Sequence, residues 1–310
     1  MIHRPRAFIG IDWSGAKGPR QLGIQLALAA TGDVTPARMN CPNGRAWGRE
    51  DVAMLLEEMA LRPATDGPVL AGIDFAFAHP FVDQGAYFPG LDGVDQPQSP
   101  SALWRLIDTV CTDAPHLYGG AMFSTTPWAD YYLSPQNHSA SKYSSRRRQA
   151  EIAARSSGRS PSPTFKAIGA DNVATGSMAG MRLLYRLKHA LGERVAIWPF
   201  DHVGPENWHD LGLILVEIFP SLYFHMAGFN PARAAAADPR FLSEALAAYG
   251  SRGVGAGFVP LGKDADEADA MISAAALRHF AQRDGCWHVP VEHRPATLSE
   301  GWIFGVGLPD

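Results

Sequence analysis

Three apolar runs in this chain lead into a single acid. Phe8-Ile9-Gly10-Ile11 ends at Asp12, Leu70-Ala71-Gly72-Ile73 ends at Asp74, and Leu213-Ile214-Leu215-Val216 leads to Glu217, followed by Ile218-Phe219-Pro220. A lone carboxylate at a buried strand end is expensive unless it is paired, wetted or holding a cation. A second source of acids lies near 264–283, where Asp264-Ala265-Asp266-Glu267 reads as a capping box and Asp269 follows one turn later. At about 100° per residue, Asp266, Asp269, Ser273, Ala276, Leu277 and Phe280 share one side. Leu277 and Phe280 mark that side as core-facing, so Asp266 and Asp269 point inward. Glu267, Met271, Arg278 and Gln282 fall opposite, on a side expected to meet water. Carboxylates from strand ends and from a packing helix, brought together, make an oxygen-rich cluster. Such a cluster suits Mg²⁺ or Mn²⁺ better than zinc. Two such ions roughly 3.5–4 Å apart clamp an in-line phosphoryl displacement.

The elements that must carry these acids are readable in outline. Residues 7–12 predict a strand buried on both faces, 21–29 a second strand, and 34–39 a third, weakened by Pro36 and placed near an edge. Residues 49–61 have helical spacing of Val52, Leu55, Leu56 and Met59. A strand follows at 68–75. From about 78 to 210 the chain is rich in Pro, Gly, Ser, Trp and Tyr. Helical pieces are expected there at 101–112 and 177–191, with exposed loops at 134–143 and 156–163. A stretch this long without strong strands reads as an insertion or lid. Order returns with a strand at 213–219, a helix started by Pro220, helices at 239–249 and 264–283, and a final strand or extended tail at 302–306. The expected fold is α/β with a mixed sheet, built from 1–79 and 211–310 and interrupted by a large insertion or lid subdomain at 80–210.

Composition narrows the function classes. Of 310 residues 46% are hydrophobic and 19% charged, and the net charge is -4, so any basic site must be local rather than a general coat. The cysteines, Cys41, Cys111 and Cys286, are three in number and widely spaced, which fits a reducing compartment and no disulfide framework. Cys286-Trp287-His288 lacks the ligand spacing of a zinc site. No apolar run has the length of a signal peptide or a membrane span, and a cytoplasmic protein without a membrane partner is expected.

The order of three meander strands, helix, strand, later strand and acid-bearing helix resembles the ribonuclease-H-like superfamily. In that fold an Asp on the first strand is the central metal ligand, and Asp12 in Ile9-Gly10-Ile11-Asp12-Trp13-Ser14-Gly15 matches it. Asp74 and Glu217 are both candidates for the second acid. Asp266-x-x-Asp269-Ala270 resembles the D-x-x-D-A of Holliday-junction resolvases of the same fold. The set GID, IDFAFAHP, VEIFPS and DEADAMISAAAL is most similar to a family of predicted ribonuclease-H-like nucleases with little assigned biology. The resemblance covers about 7–80 and 211–283. It implies a metal-dependent nuclease with catalytic Asp12, Asp74, Glu217 and Asp269, these and Asp266 holding two Mg²⁺ or Mn²⁺ ions.

A nucleic-acid partner is expected at the insertion, where Lys142, Arg146, Arg147, Arg148, Arg155 and Arg159 lie among Tyr131, Tyr132, His138 and Tyr143. This basic segment is expected to be a mobile lid. Lys17, in the loop after Asp12, is a further candidate to hold substrate. His79 reads as a general base or, with preference, as a satisfied polar residue beside Pro80. Two alternatives stay open: a small-molecule phosphotransferase or phosphate-ester hydrolase of the actin-like ATPase type, and a non-catalytic binding module. The first needs glycine-rich loops after both early acids. Asp12 has one in Ser14-Gly15-Ala16-Lys17-Gly18, but Asp74 is followed by Phe75-Ala76-Phe77-Ala78.

Overall fold

The unbroken apolar run before Asp12 forms β1 (Ala7–Asp12), a strand covered on both faces, as parallel strands of α/β sheets are. The computed structural model describes residues 4–32, 34–42, 44, 46–62, 67–91, 93–169, 172–229 and 235–307. Beyond β1 the sheet contains β2 (Gln25–Ala30), β3 (Ala37–Arg38), β4 (Val69–Ile73), β5 (Val195–Ile197) and β6 (Leu213–Glu217). Its order is β3-β2-β1-β4-β6-β5. β2 runs antiparallel to β1 and to β3, whereas β1, β4, β6 and β5 are mutually parallel. The chain is therefore α/β, with a six-stranded mixed sheet flanked by helices.

The helices are α1 (Arg49–Leu61), α2 (Pro100–Val110), α3 (Gln149–Ser156), α4 (Ala174–Leu191), α5 (Pro220–Met226), α6 (Pro239–Ala248), α7 (Asp266–Ala281) and α8 (Arg294–Thr297). On one face of the sheet α7 lies across β1 and β2, with α5 and α6 packed against it. On the other face sit α1 and α4, with α2 outside α4. Alternating strand residues feed two separate cores. Ile9, Ile11, Ala71, Ile73, Leu213 and Leu215 serve the α1/α4 side. Phe8, Leu70, Ile214 and Val216 serve the α7 side.

Glycine sets how closely α7 approaches. A Cβ on Gly10 would lie 2.1 Å from the Ala270 carbonyl oxygen and 2.8 Å from the Ser273 Cβ, so only glycine lets the helix backbone sit on β1. The small residues Ala270, Ser273 and Ala274 complete that contact.

Several expectations change. β2 starts at Gln25 rather than 21, and β3 spans only Ala37–Arg38. α7 is not half-solvated: Glu267, Met271 and Arg278 are buried along with its sheet side. Glu267 takes a two-pronged ion pair from Arg38, at 2.5 and 2.7 Å, and Arg278 donates to the Gly250 carbonyl and to Ser251 Oγ. The expected Asp264 cap is absent. The N-cap is Ala265 in the left-handed region (φ 63°), and the Glu267 carboxylate accepts the Leu261 N–H instead. The tail does not form a strand, but Ile303 bridges to Glu217 and the Phe304 N–H donates to the Glu217 carbonyl.

The 80–210 segment also does more than cover the core. It supplies α4 and the edge strand β5. It is bolted in place as well: Arg146 pairs with Asp83, Arg148 pairs with Glu217, and the Glu300 carboxylate accepts the N–H groups of Phe81, Val82 and Gln149 at 2.7–2.8 Å. These bonds tie the segment expected to be a lid to the sheet and to the C-terminal region. Among the described residues no helix is long and apolar enough to cross a membrane.

Candidate active site

The carboxyl ends of β1, β4 and β6 open into a cleft of about 950 Å³. Asp12, Asp74, Glu217, Asp264, Asp266 and Asp269 all line it, so acids distant in sequence border one cleft. β1 and β4 are aligned Gly10 to Gly72 and Ile11 to Ile73, and the ladder continues with the Asp74 N–H donating to the Ile11 carbonyl. Asp12 and Asp74 are therefore level on neighbouring parallel strands, about 4.8 Å apart by strand spacing. By the two-residue period of a strand they project from the same face as Gly10 and Gly72, toward α7. Asp266 and Asp269 arrive from the first turn of α7, buried to 7% and 4% exposure. Asp12 accepts the Trp13 N–H, and Asp266 accepts the Lys263 N–H.

Glu217 ends a parallel strand as Asp12 does, but on the opposite face. It is aligned with Ile73, whose side chain belongs to the α1/α4 core. There its carboxylate receives Arg148 at 2.5 and 2.7 Å and the Phe77 N–H at 3.0 Å. Glu217, expected to share a metal with Asp12, is held in this structure in a buried ion pair with Arg148. Between the two candidates for the second acid, strand parity favours Asp74.

Arg148 is itself shared. It donates to Glu151 at 2.9 Å and to the Glu300 carbonyl at 3.1 Å. Two buried carboxylates thus divide one guanidinium. Burial raises the Glu151 carboxyl to about 7, against the lowering effect of Arg148. Glu217 and Glu151 together raise the Arg148 guanidinium, which stays charged. Sequence reading missed Glu151, which lies on α3 three residues after Arg148. Its one local signal was the spacing from a helix start.

The expected substrate-binding cations are mostly consumed inside the protein. Arg146 is buried and bonds to Asp83 and to the carbonyls of Pro80, Ala86 and Tyr87. Arg147 donates to the Pro161 carbonyl. Lys142 is exposed, donates to the Gly90 carbonyl and sits 5.5 Å from the Tyr131 ring centre. Lys17 is exposed and lies outside the residues that line the cleft. His79 is fully buried between Thr164 Oγ1 and Tyr132 Oη, stacked on Phe165, and burial together with Arg146 and Arg148 holds it well below the usual imidazole range. It is a neutral structural residue.

The loop after Asp12 is held by groups that sequence reading did not select. Arg49 donates from one nitrogen to the carbonyls of Ser14 and Ala16, both at 2.9 Å, and from another to the His116 carbonyl. Burial lowers its guanidinium to about 10, so it remains cationic at neutral pH. Trp13 Nε1 donates to the Gly176 carbonyl on α4, and Ser177 Oγ accepts the Ala76 N–H from the loop after Asp74. The first turn of α4 thereby fixes both acid-bearing loops.

Seven carboxylates and three cationic side chains line the cleft among the described residues. Two of the cations have other partners: Arg148 as above, and Arg20 with Asp51. The excess of hard oxygen donors fits Mg²⁺ or Mn²⁺ in kind. Among the described residues no three His, Cys, Asp or Glu side chains are gathered into a ready-made metal centre. The chain matches no family model, no curated protein and no solved structure.

Proposed function

We propose that this cleft belongs to a divalent-metal-dependent phosphodiester hydrolase acting on nucleic acid, with a ribonuclease-H-like core. The observation that carries the reading is the convergence of Asp12, Asp74, Asp266 and Asp269 on one face of the sheet edge. The strand order supports it, since an antiparallel meander leads into parallel β4 and β6 with the acids at their carboxyl ends. Asp12, Asp74 and Asp269 would hold the metal, with Asp266 beside them. The bound ion would supply Lewis-acid polarisation of a phosphoryl oxygen and a lowered pKa for water. The chain itself rigidly presents the acids: Gly10 seats α7, Arg49 pins the loop after Asp12, and α4 ties that loop to the one after Asp74.

The actin-like alternative is disfavoured by the second loop. The N–H groups of Phe75, Ala76 and Phe77 donate to the Ile73 carbonyl, Ser177 Oγ and Glu217 Oε2. None of the three is left to cradle a phosphate.

Titration calorimetry with Mn²⁺ tests the proposal. The native protein should bind, Asp12→Asn and Asp269→Asn should each weaken binding at least ~10-fold, and a folded Glu217→Gln variant should stay within about 2-fold. Native protein should also hydrolyse bis-p-nitrophenyl phosphate only with the metal. Absence of Mn²⁺ binding in the native protein, with and without oligonucleotide, would sink the reading in favour of a binding module.

A further inference from the structure

On the phosphodiesterase reading of this site, we infer that the cleft takes a short single-stranded segment or strand end, about two nucleotides at a time, and excludes a continuous duplex. That size follows from the volume, about 950 Å³, at the upper end of pockets that enclose one drug-sized ligand. It falls well short of the roughly 4–16 nucleotides followed by an open single-strand groove.

The walls are fixed. On one side the loop after Asp12 presses on α4, so closely that a Cβ on Gly15 would lie 2.2 Å from the Thr175 carbonyl carbon. The Trp13 and Ser177 hydrogen bonds hold that wall to the sheet. On another side the 160–162 segment borders the cleft, tied by Arg147 to the Pro161 carbonyl. The Arg148–Glu217 pair and the Glu300 bonds anchor the inserted chain beneath it. A duplex would need one wall to swing aside, and these bonds oppose that.

Charge gives an independent reason. A protein that follows a phosphate backbone needs a row of available cations. Here Arg146 and Arg148 are buried in internal pairs. The rim instead offers neutral groups such as Ser14, Ser162, Asn172 and Thr175, with exposed Lys263 as its main cation. Such a rim suits one or two phosphates presented to a metal.

The test uses the native protein with Mn²⁺ and phosphorothioate-linked, end-labelled oligonucleotides of two, four, eight and sixteen residues, plus a blunt hairpin duplex, read by fluorescence anisotropy. Affinity should level off by four residues, and the hairpin should bind at least ten-fold more weakly. The log–log salt slope should be shallower than about -1.5, as expected for two phosphates on a single strand. Affinity that keeps climbing to sixteen residues, or equal binding of the hairpin, overturns the inference. The expected length profile without Mn²⁺-dependent cleavage of unmodified oligonucleotides would sustain the size limit and remove the hydrolase reading. Failure of every oligonucleotide to bind would remove both.

Discussion

Asp12 and Glu217 both end parallel strands of one sheet, both are buried and both border the cleft, yet Asp12 stands on the side of Asp266 and Asp269 whereas Glu217 is locked to Arg148. The difference is one residue of register. Asp12 and Asp74 share the parity of Gly10 and Gly72 and face α7, whereas Glu217 shares that of Ile73 and faces the inserted chain. A strand-end acid is thus assigned its task by the face it points to, and hydropathy of the run before it does not reveal that face. The α7 face gathers Asp12, Asp74, Asp266 and Asp269. The opposite face neutralises its carboxylates internally.

The largest break in this contrast should come from Arg148→Met. It strands Glu217 and Glu151 without their guanidinium, and chemical denaturation should show a loss of about 3–5 kcal/mol. Adding Glu217→Leu should recover a large part of it.

A pH effect should follow, also confined to the neutralised face. Because Glu151 holds its proton up to about 7 in the folded chain, its contribution is greatest below its unfolded value near 4.5. That contribution is lost as pH rises through about 7, on the order of 2–3 kcal/mol between pH 4.5 and 8. Glu151→Gln should flatten this part of the stability profile, as urea midpoints at pH 5 and pH 8 would report.

On the cleft face, Gly10→Ala should cost about 1–3 kcal/mol, because its Cβ meets the α7 backbone. Unlike Arg148→Met, it should also weaken Mn²⁺ binding by moving Asp269. Retained Mn²⁺ affinity in a destabilised Gly10→Ala protein would show that α7 does not position the site.

The smallest effect should be a gain. Ala265 adopts a left-handed conformation immediately before Asp266, and Ala265→Gly should relieve it, raising stability by about 0.5–1 kcal/mol in thermal melts. Metal affinity should be unchanged.

What could be read from the sequence was what local pattern determines. β1 and α1 occupy the expected residues, because an apolar run and a 3.6-residue period carry their own evidence. The helix at Pro220 begins where the proline fixes it. The inward direction of Asp266 and Asp269 was also legible, from Leu277 and Phe280 on the same side. Burial of the other side of α7 was not, because Glu267 is satisfied by Arg38 from far along the chain. The same reason explains Arg146 and Arg148. A run of arginines looks like a free basic patch until Asp83 and Glu217 are brought to it. Parity at Glu217 was hidden because a strand buried on both faces shows no alternation.

Glu300 has a consequence for how the protein is made. Its carboxylate joins three amides from two segments that emerge from the ribosome more than a hundred residues earlier. These three bonds can therefore form only late in synthesis. Until then the amides of Phe81, Val82 and Gln149 must be satisfied by water instead. Closures this distant in sequence form slowly. The acids on β1 and β4 are thus laid down early, and the cleft that organises them is completed almost last.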